Sequence, residues 1–270
     1  MHFNSLTIPT ILCSAALFLT GVNLERKAGS PANRLALTVA GFALAAPGLL
    51  FDLYYFHLFD RAAWFYNFRA VRFSELATCG RGLAAGALHS WLRSTSLGGK
   101  VAVPATLFVL VFIPFAKPIL VPLDFDRLQD RWSSEVCLQS TPSTCGPASA
   151  ATVFRALGKT ASEKQLATEC FTYSGGTEIW YIARAFRRRG FSAQIFTQST
   201  DSVSFPSPAI AGVVLGGGAG HFIAILGDAP TQVTLGDPLK GRLIVNKAEL
   251  QHIYHFTGLF LVIHPNPDRR

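Results

Sequence analysis

Three long apolar runs stand out from an otherwise ordinary alternation of polar and apolar positions. They cover Leu6 to Val22, Leu35 to about His57, and Val101 to about Leu123. Each approaches the ~20 residues that carry a helix across a bilayer. Met1-His2-Phe3-Asn4-Ser5 holds no Lys or Arg, and no small-x-small cleavage site follows the first run. An uncleaved anchor is therefore expected, not a signal peptide. Pro47 predicts a kink in the second run, where Tyr54, Tyr55 and Phe56 suit an interfacial belt. Lys117 in the third can snorkel towards a head group. Between the second and third runs, Trp64, Phe65, Phe68 and Val71 recur near helical spacing, with Arg69 and Arg72 interleaved. That pattern predicts an amphipathic helix lying in the membrane interface. Residues 73–92 are moderately apolar but contain Glu75 and Arg81, and leave a fourth span open.

The periodicity changes after residue 123. Residues 124–133 are polar and read as a linker, and a globular domain is expected over 134–270. Cys145 to Leu157 predicts a helix closed by Gly158. Ser162-Glu163-Lys164-Gln165 opens a second helix with a capping-box pattern, and Thr177 is expected to cap a third that stops at Gly190. Short β-branched or aromatic runs follow: Phe191–Phe196, Ala209–Leu215, His221–Leu226, Gln232–Leu235, Arg242–Val245 and Gly258–Ile263. Helices first and strands afterwards predict an α+β domain, with helices packed on an antiparallel sheet. It stands C-terminal to an all-α membrane region of about three transmembrane helices over 1–123.

Composition agrees. Half the residues are hydrophobic, 15% are charged, and mean hydropathy is +0.32, too apolar for one soluble domain of this size. Residues 1–123 carry ten Lys/Arg against four Asp/Glu, and residues 124–270 carry fourteen against twelve. The basic excess thus sits beside the apolar runs, where it sets orientation, and nucleic acid is not an expected partner.

The chemistry concentrates around Gln139-Ser140-Thr141-Pro142-Ser143-Thr144-Cys145-Gly146-Pro147. A thiol opening a helix feels the positive end of the macrodipole, which favours thiolate. Gln139 can reach back beside it and donate to an oxyanion. Downstream lie Gly220-His221-Phe222 and Gly236-Asp237-Pro238. Together they offer a nucleophile, Cys145; a base, His221; an orienting carboxylate, Asp237; and an oxyanion donor, Gln139. His252, His255 and His264 have no ligand spacing, and no phosphate-binding Gly-x4-Gly-Lys-Ser/Thr loop occurs. The chemistry requires no metal or organic cofactor.

Gln139, Cys145-Gly146-Pro147-Ala148, His221-Phe222 and Asp237-Pro238 resemble the motifs of the bacteriocin-processing, double-glycine leader peptidases, which are papain-like cysteine peptidases. Gly175-Gly176-Thr177 and the Arg-rich helix ending in Arg189-Gly190-Phe191 fit the same pattern. The resemblance spans roughly residues 134 to 265. It implies the four roles just given, hydrolysis of peptide bonds, and a peptide or protein substrate, such as an exported peptide or its leader. The lipid bilayer is the second partner, and a separate exporter a third. Two other readings use the same cleft: a non-catalytic peptide-binding module of an export system, and acyl or amide transfer.

Cys137 and Cys170 flank this site in sequence. A bridge between them would tie the Gln139 segment to a neighbouring helix; two free buried thiols are the alternative. Orientation bears on the choice. With three spans, the loop holding Arg61, Arg69, Arg72, Arg81, Arg93 and Lys100 lies opposite the one holding Arg26, Lys27 and Arg34. Six against three makes the longer loop cytoplasmic, which places the domain outside a bacterial inner membrane, where a disulfide is permitted.

Overall fold

The protein is described from a computed structural model, over residues 4–60, 62–93, 97–199 and 204–266. Met1, His2, Phe3 and Arg61, which entered the sequence argument, lie outside the described residues. The chain forms two compact units. One comprises Phe3–Asp60 and Phe73–Ile119; the other takes in Arg61–Arg72 and Leu120–Arg270.

The first unit is helical. Its long elements are α1 (Thr7–Lys27) and α2 (Pro31–Tyr55). Ser30 caps α2 by accepting from Asn33 N at 3.2 Å, and Pro31 occupies the first turn, where no N–H is required. In the second unit lies the short α3 (Ala63–Ala70). The chain returns to the helical unit through a 3-10 turn (Ser74–Gly80), α4 (Arg81–Arg93) and α5 (Leu97–Leu120). Three of these helices are long and apolar enough to cross a membrane: Thr7–Lys27, Pro31–Tyr55 and Lys100–Leu120. α4 is about 20 Å long at 1.5 Å per residue, short of the ~30 Å hydrocarbon core. It packs against α1 and α2. A Cβ at Gly82 or Gly86 would collide with the backbone oxygens of Ser14 or Phe18, so these two glycines let α4 and α1 touch backbone to backbone. Arg81 is buried there and compensated: it pairs with Asp52 at 2.8 Å and donates to the carbonyls of Gly48 and Leu110.

The second unit has the helices-on-sheet layout expected from the sequence. Its first strands form a hairpin, β1 (Arg131–Ser133) and β2 (Val136–Leu138), turned by Ser134 and Glu135 at φ +45° and +71°. Then come α6 (Cys145–Ala156), α7 (Glu163–Glu169) and α8 (Ile179–Arg188). The strands are β3 (Phe191–Thr197), β4 (Ala209–Val214), β5 (Gly220–Asp228), β6 (Gln232–Asp237), β7 (Gly241–Asn246) and β8 (His255–Pro265), with α9 (Lys247–Ile253) between the last two. They form an antiparallel sheet in the order β3-β8-β4-β5-β6-β7. Central β4 is buried on both faces. Ala209, Ala211 and Val213 join Ile223, Leu235, Leu250, Phe256 and Phe260 in one core, beneath α9. α6 and α8 cover the other face, where Phe154 and Phe186 stack at 4.0 Å.

Four local expectations differ from what forms. The third helix starts at Ile179, because Thr177 spends its hydroxyl on Thr172 at 2.8 Å and caps nothing. The helix α9 was not anticipated, although Asn246 caps it through Ala248 N. The stretch read as a linker folds with the domain: Leu123, Leu128 and Ala167 make a small buried cluster. Lastly, α3 is not a free-standing helix; it packs on α8 and β3. Phe65 and Arg69 are buried, and the Arg69 guanidinium lies 4.3 Å from the centroid of the Trp180 ring. Arg184 donates to the Arg69 carbonyl at 2.5 Å, and Arg187 to that of Ala70 at 2.9 Å. Asn67 serves as an extra partner for edge strand β3, accepting from Ile195 N at 3.0 Å and donating to Ile195 O at 2.5 Å.

Arg69 and Arg72 fold with the domain, whereas the three-span arrangement puts them across the bilayer from it. The Asn67 contact also makes a stability prediction. Asn67→Ala leaves the Ile195 N–H and C=O without this partner, at a cost of about 1–3 kcal/mol. We expect a lower thermal midpoint and faster limited proteolysis within residues 61–72, both measured on the detergent-solubilised chain.

Candidate active site

Cys145 is the first residue of α6, where backbone N–H groups lack helical partners. It is 6% exposed, so its thiol is close to the surface without being free in solvent. The loop before it is tightly wound: Thr144 Oγ1 donates to Thr141 O at 3.0 Å, and Thr141 N donates to Thr144 Oγ1 at 3.1 Å. One turn into the helix, Ser149 Oγ donates to Phe222 O at 2.9 Å. That bond fixes the cysteine-bearing end of α6 against the start of β5, next to His221. Gly146 completes the fit, since a Cβ there would press on Ile182, Thr177 and Phe222.

His221 and Asp237 stand on neighbouring antiparallel strands. Gly236 pairs with Ala224, which sets Asp237 diagonally across from His221 on one face. The two side chains meet with Nε2 to Oδ1 at 3.0 Å, and both are buried. Nε2 is thereby committed, and Nδ1 is the ring nitrogen left for Cys145. Burial pushes the imidazole pKa down, but the bonds to Asp237 and Cys145 outweigh it and raise it to about 9. Burial pushes the Asp237 carboxyl up, and the bonds from His221, Tyr254 and Leu239 N more than reverse that, holding it below its ordinary value. Leu239 N donates at 2.8 Å, the signature of an Asx turn, and Tyr254 Oη donates to Oδ2 at 2.5 Å.

Gln139 lies at the end of the hairpin and is held by its backbone, whose N–H donates to Pro238 O at 3.0 Å. Its Nε2 donates to Thr141 O at 2.8 Å, and its Oε1 is buried without a partner among the described residues. Thr141 takes only one of the two amide hydrogens. The neighbouring Ser140 is anchored by a fully buried carboxylate, Glu163, which accepts from Ser140 N at 2.7 Å and from Ser140 Oγ at 2.5 Å.

Two residues of this arrangement escaped the sequence reading. In the sequence Glu163 reads only as part of a helix-capping pattern. Ser162 does cap, accepting from Gln165 N at 3.0 Å, while the Glu163 side chain turns to the Gln139 loop. Tyr254 carried no sequence signal, because its link to Asp237 spans 17 positions. The anticipated bridge is absent: Cys137 and Cys170 are both free and fully buried. Burial pushes each thiol up to about 12, so both are protonated and unreactive at neutral pH. Among the described residues, no cluster of His, Cys, Asp and Glu could hold a metal ion. The arrangement has the parts for nucleophilic acyl chemistry: a thiol, a buried imidazole with a raised pKa, a carboxylate beside it, and an amide donor nearby.

The His221 pKa is raised, so its contribution is fully present below the ordinary value of 6.5 and is lost as pH rises through about 9. Asp237 is depressed, so its contribution is present above 3.8 and is lost as pH falls through its lowered value. We expect the thermal midpoint to fall as pH is raised from about 7 to about 10, and to fall less in His221→Ala. Parallel melts of the two proteins across that range check it.

Residues 133–268 match the model of the Peptidase C39 family. An uncharacterized protein of Methanothermobacter marburgensis is 32% identical over 144 residues, covering 53% of this chain and 98% of its own length. One from Methanothermobacter thermautotrophicus is 30% identical over 133 residues, covering 47% and 87%. Among solved structures, the peptidase domain of Streptococcus ComA, a bifunctional ABC transporter of a quorum-sensing pathway, is 25% identical. It covers 48% of this chain and 97% of that one, with a TM-score of 0.43. A double-glycine-motif protease from an AMS/PCAT transporter, bound to a leader peptide, is 23% identical. It covers 52% and 95%, with a TM-score of 0.42.

Proposed function

The chain belongs to the peptidase C39 family, and from that premise we propose that it is a membrane-anchored cysteine peptidase working through Cys145, His221, Asp237 and Gln139. The observation that carries the proposal is the buried His221–Asp237 pair, whose second ring nitrogen is left for the thiol at the start of α6. In the mechanism, His221 takes the proton of Cys145, which becomes the thiolate nucleophile. The thiolate attacks the scissile carbonyl carbon. The electron pair moves onto the carbonyl oxygen, which is met by the Cys145 backbone N–H and the Gln139 amide. Collapse expels the amine, which takes its proton from His221, and a thioester remains. His221, now neutral, draws a proton from water as the water attacks, and Cys145 leaves as thiolate. Asp237 keeps the ring in the required tautomer throughout.

The substrate we propose is a peptide or the leader of an exported peptide, handed on to a separate exporter. Support comes from the family and from the three apolar helices, which would keep the domain at the membrane surface. A screen of peptides against the full chain in detergent tests the reading. Cys145→Ala and His221→Ala should each lower the cleavage rate by ~10³-fold or more. Asp237→Ala should cost less. Gln139→Ala should lower kcat by ~10²–10³ with little change in KM, because an oxyanion donor acts in the transition state. Cleavage by Cys145→Ala at the wild-type rate would overturn the mechanism.

A further inference from the structure

Asp237 is a fully buried charge of the site, and its second oxygen faces a residue that the peptidase reading gives no role. We propose that Tyr254 is a positioning residue: its hydroxyl donates to Asp237 Oδ2 at 2.5 Å and holds the carboxylate in the orientation in which Oδ1 meets His221 Nε2. The proposal rests on the peptidase reading and deepens it.

A carboxylate turns readily about its last torsion, because that torsion has only broad minima. Here Oδ1 is occupied by His221 and by Leu239 N, and both could be met by a range of carboxylate tilts. A donor on Oδ2 removes that range. Tyr254 is well fitted to the task. It is 1% exposed, its own N–H is fixed by Leu250 O at 2.9 Å, and its ring belongs to the core beneath the sheet. It sits where α9 ends and β8 begins, so the fold and not a mobile loop sets the hydroxyl's place. The charged and titratable groups facing Asp237 are His221 from β5, Lys240 from the turn after β6, and Tyr254; Cys145 on α6 faces His221. Lys240 is no substitute donor. Its Nζ is 4.0 Å from Oδ2, its side chain is 48% exposed, and it also lies 4.7 Å from the centroid of the Tyr254 ring. Without the hydroxyl, Oδ2 would be a buried charged acceptor lacking a close donor. The carboxylate would tilt, His221 would lose its fixed orientation, and the thiolate–imidazolium pair would weaken.

The test uses iodoacetamide as the probe, so it needs no substrate. The alkylation rate of Cys145 is followed by mass spectrometry on the full chain in detergent, from about pH 5 to about pH 10. The wild type should react fast on the acid side, where an isolated thiol does not. In Tyr254→Phe, which keeps the ring and its packing, the rate near pH 6 should fall ~10-fold while the rate near pH 10 stays within about twofold. A packing role alone would leave the shape of that profile unchanged. On an Asp237→Ala background, which also removes the stranded acceptor, Tyr254→Phe should have no further effect, because the hydroxyl acts only through the carboxylate. A folded Tyr254→Phe with the wild-type profile, a uniform loss at every pH, or additive effects in the double variant would each overturn the proposal while leaving the peptidase reading intact. A wild-type Cys145 that reacts no faster than a free thiol near pH 6 would instead remove the thiolate reading, and the role of Tyr254 with it.

Discussion

A carboxylate removed from water must be met by donors, and Asp237 is fully buried. Much of the site follows from how that requirement is satisfied. Oδ1 takes His221 and the N–H of Leu239; Oδ2 takes Tyr254. These three donors come from a strand, a turn and the junction of a helix with a strand. Meeting the charge thus ties β5, β6 and β8 together at one end of the sheet. The turn does a second job, since Pro238 O receives the N–H of Gln139. The segments bearing the proposed orienter and the proposed oxyanion donor are therefore a single hydrogen-bonded assembly.

The thiol is brought to this assembly by α6. Helix and sheet are held at the working end by Ser149 Oγ on Phe222 O; further along, Thr152 Oγ1 ties the helix to the β1–β2 hairpin, accepting from Cys137 N at 2.9 Å. Both are polar contacts inside an apolar layer, where direction matters more than in water. Glu163 acts in the same way on the Gln139 loop, with both carboxylate oxygens on Ser140. The reactive geometry is thus specified by a few buried polar bonds, and the stacked Phe154 and Phe186 and the core under α9 supply the apolar burial around them.

The helical unit solves its own version of the same problem. Arg81 is buried among apolar helices and is met by Asp52 and by two carbonyls, so its charge is not left alone. Close backbone contact at Gly82 and Gly86 lets α4 sit tightly against α1. In the other unit α3, drawn from the sequence between two membrane-type segments, completes the edge of the sheet at Ile195.

What could be read directly was whatever depends on local pattern. The apolar runs, the strands, the α+β order and the start of α6 at Cys145 all come from periodicity and from residues that begin or end elements. The residues His221 and Asp237 were visible because their spacing is a two-strand meander, so nearness in sequence becomes nearness in space. Other features depended on partners far along the chain. Ser134-Glu135 lacks the Asn-Gly signal of a two-residue hairpin, so the linker looked unstructured; only pairing in the folded domain holds both residues at positive φ. The burial of α3 depends on Trp180, Arg184 and Ile195, more than 100 positions away, so its aromatic and basic pattern looked like that of a membrane-surface helix. Glu163 and Tyr254 were invisible for the same reason. Local sequence determines which backbone element a residue joins, and the packing of those elements alone decides which buried charge its side chain meets.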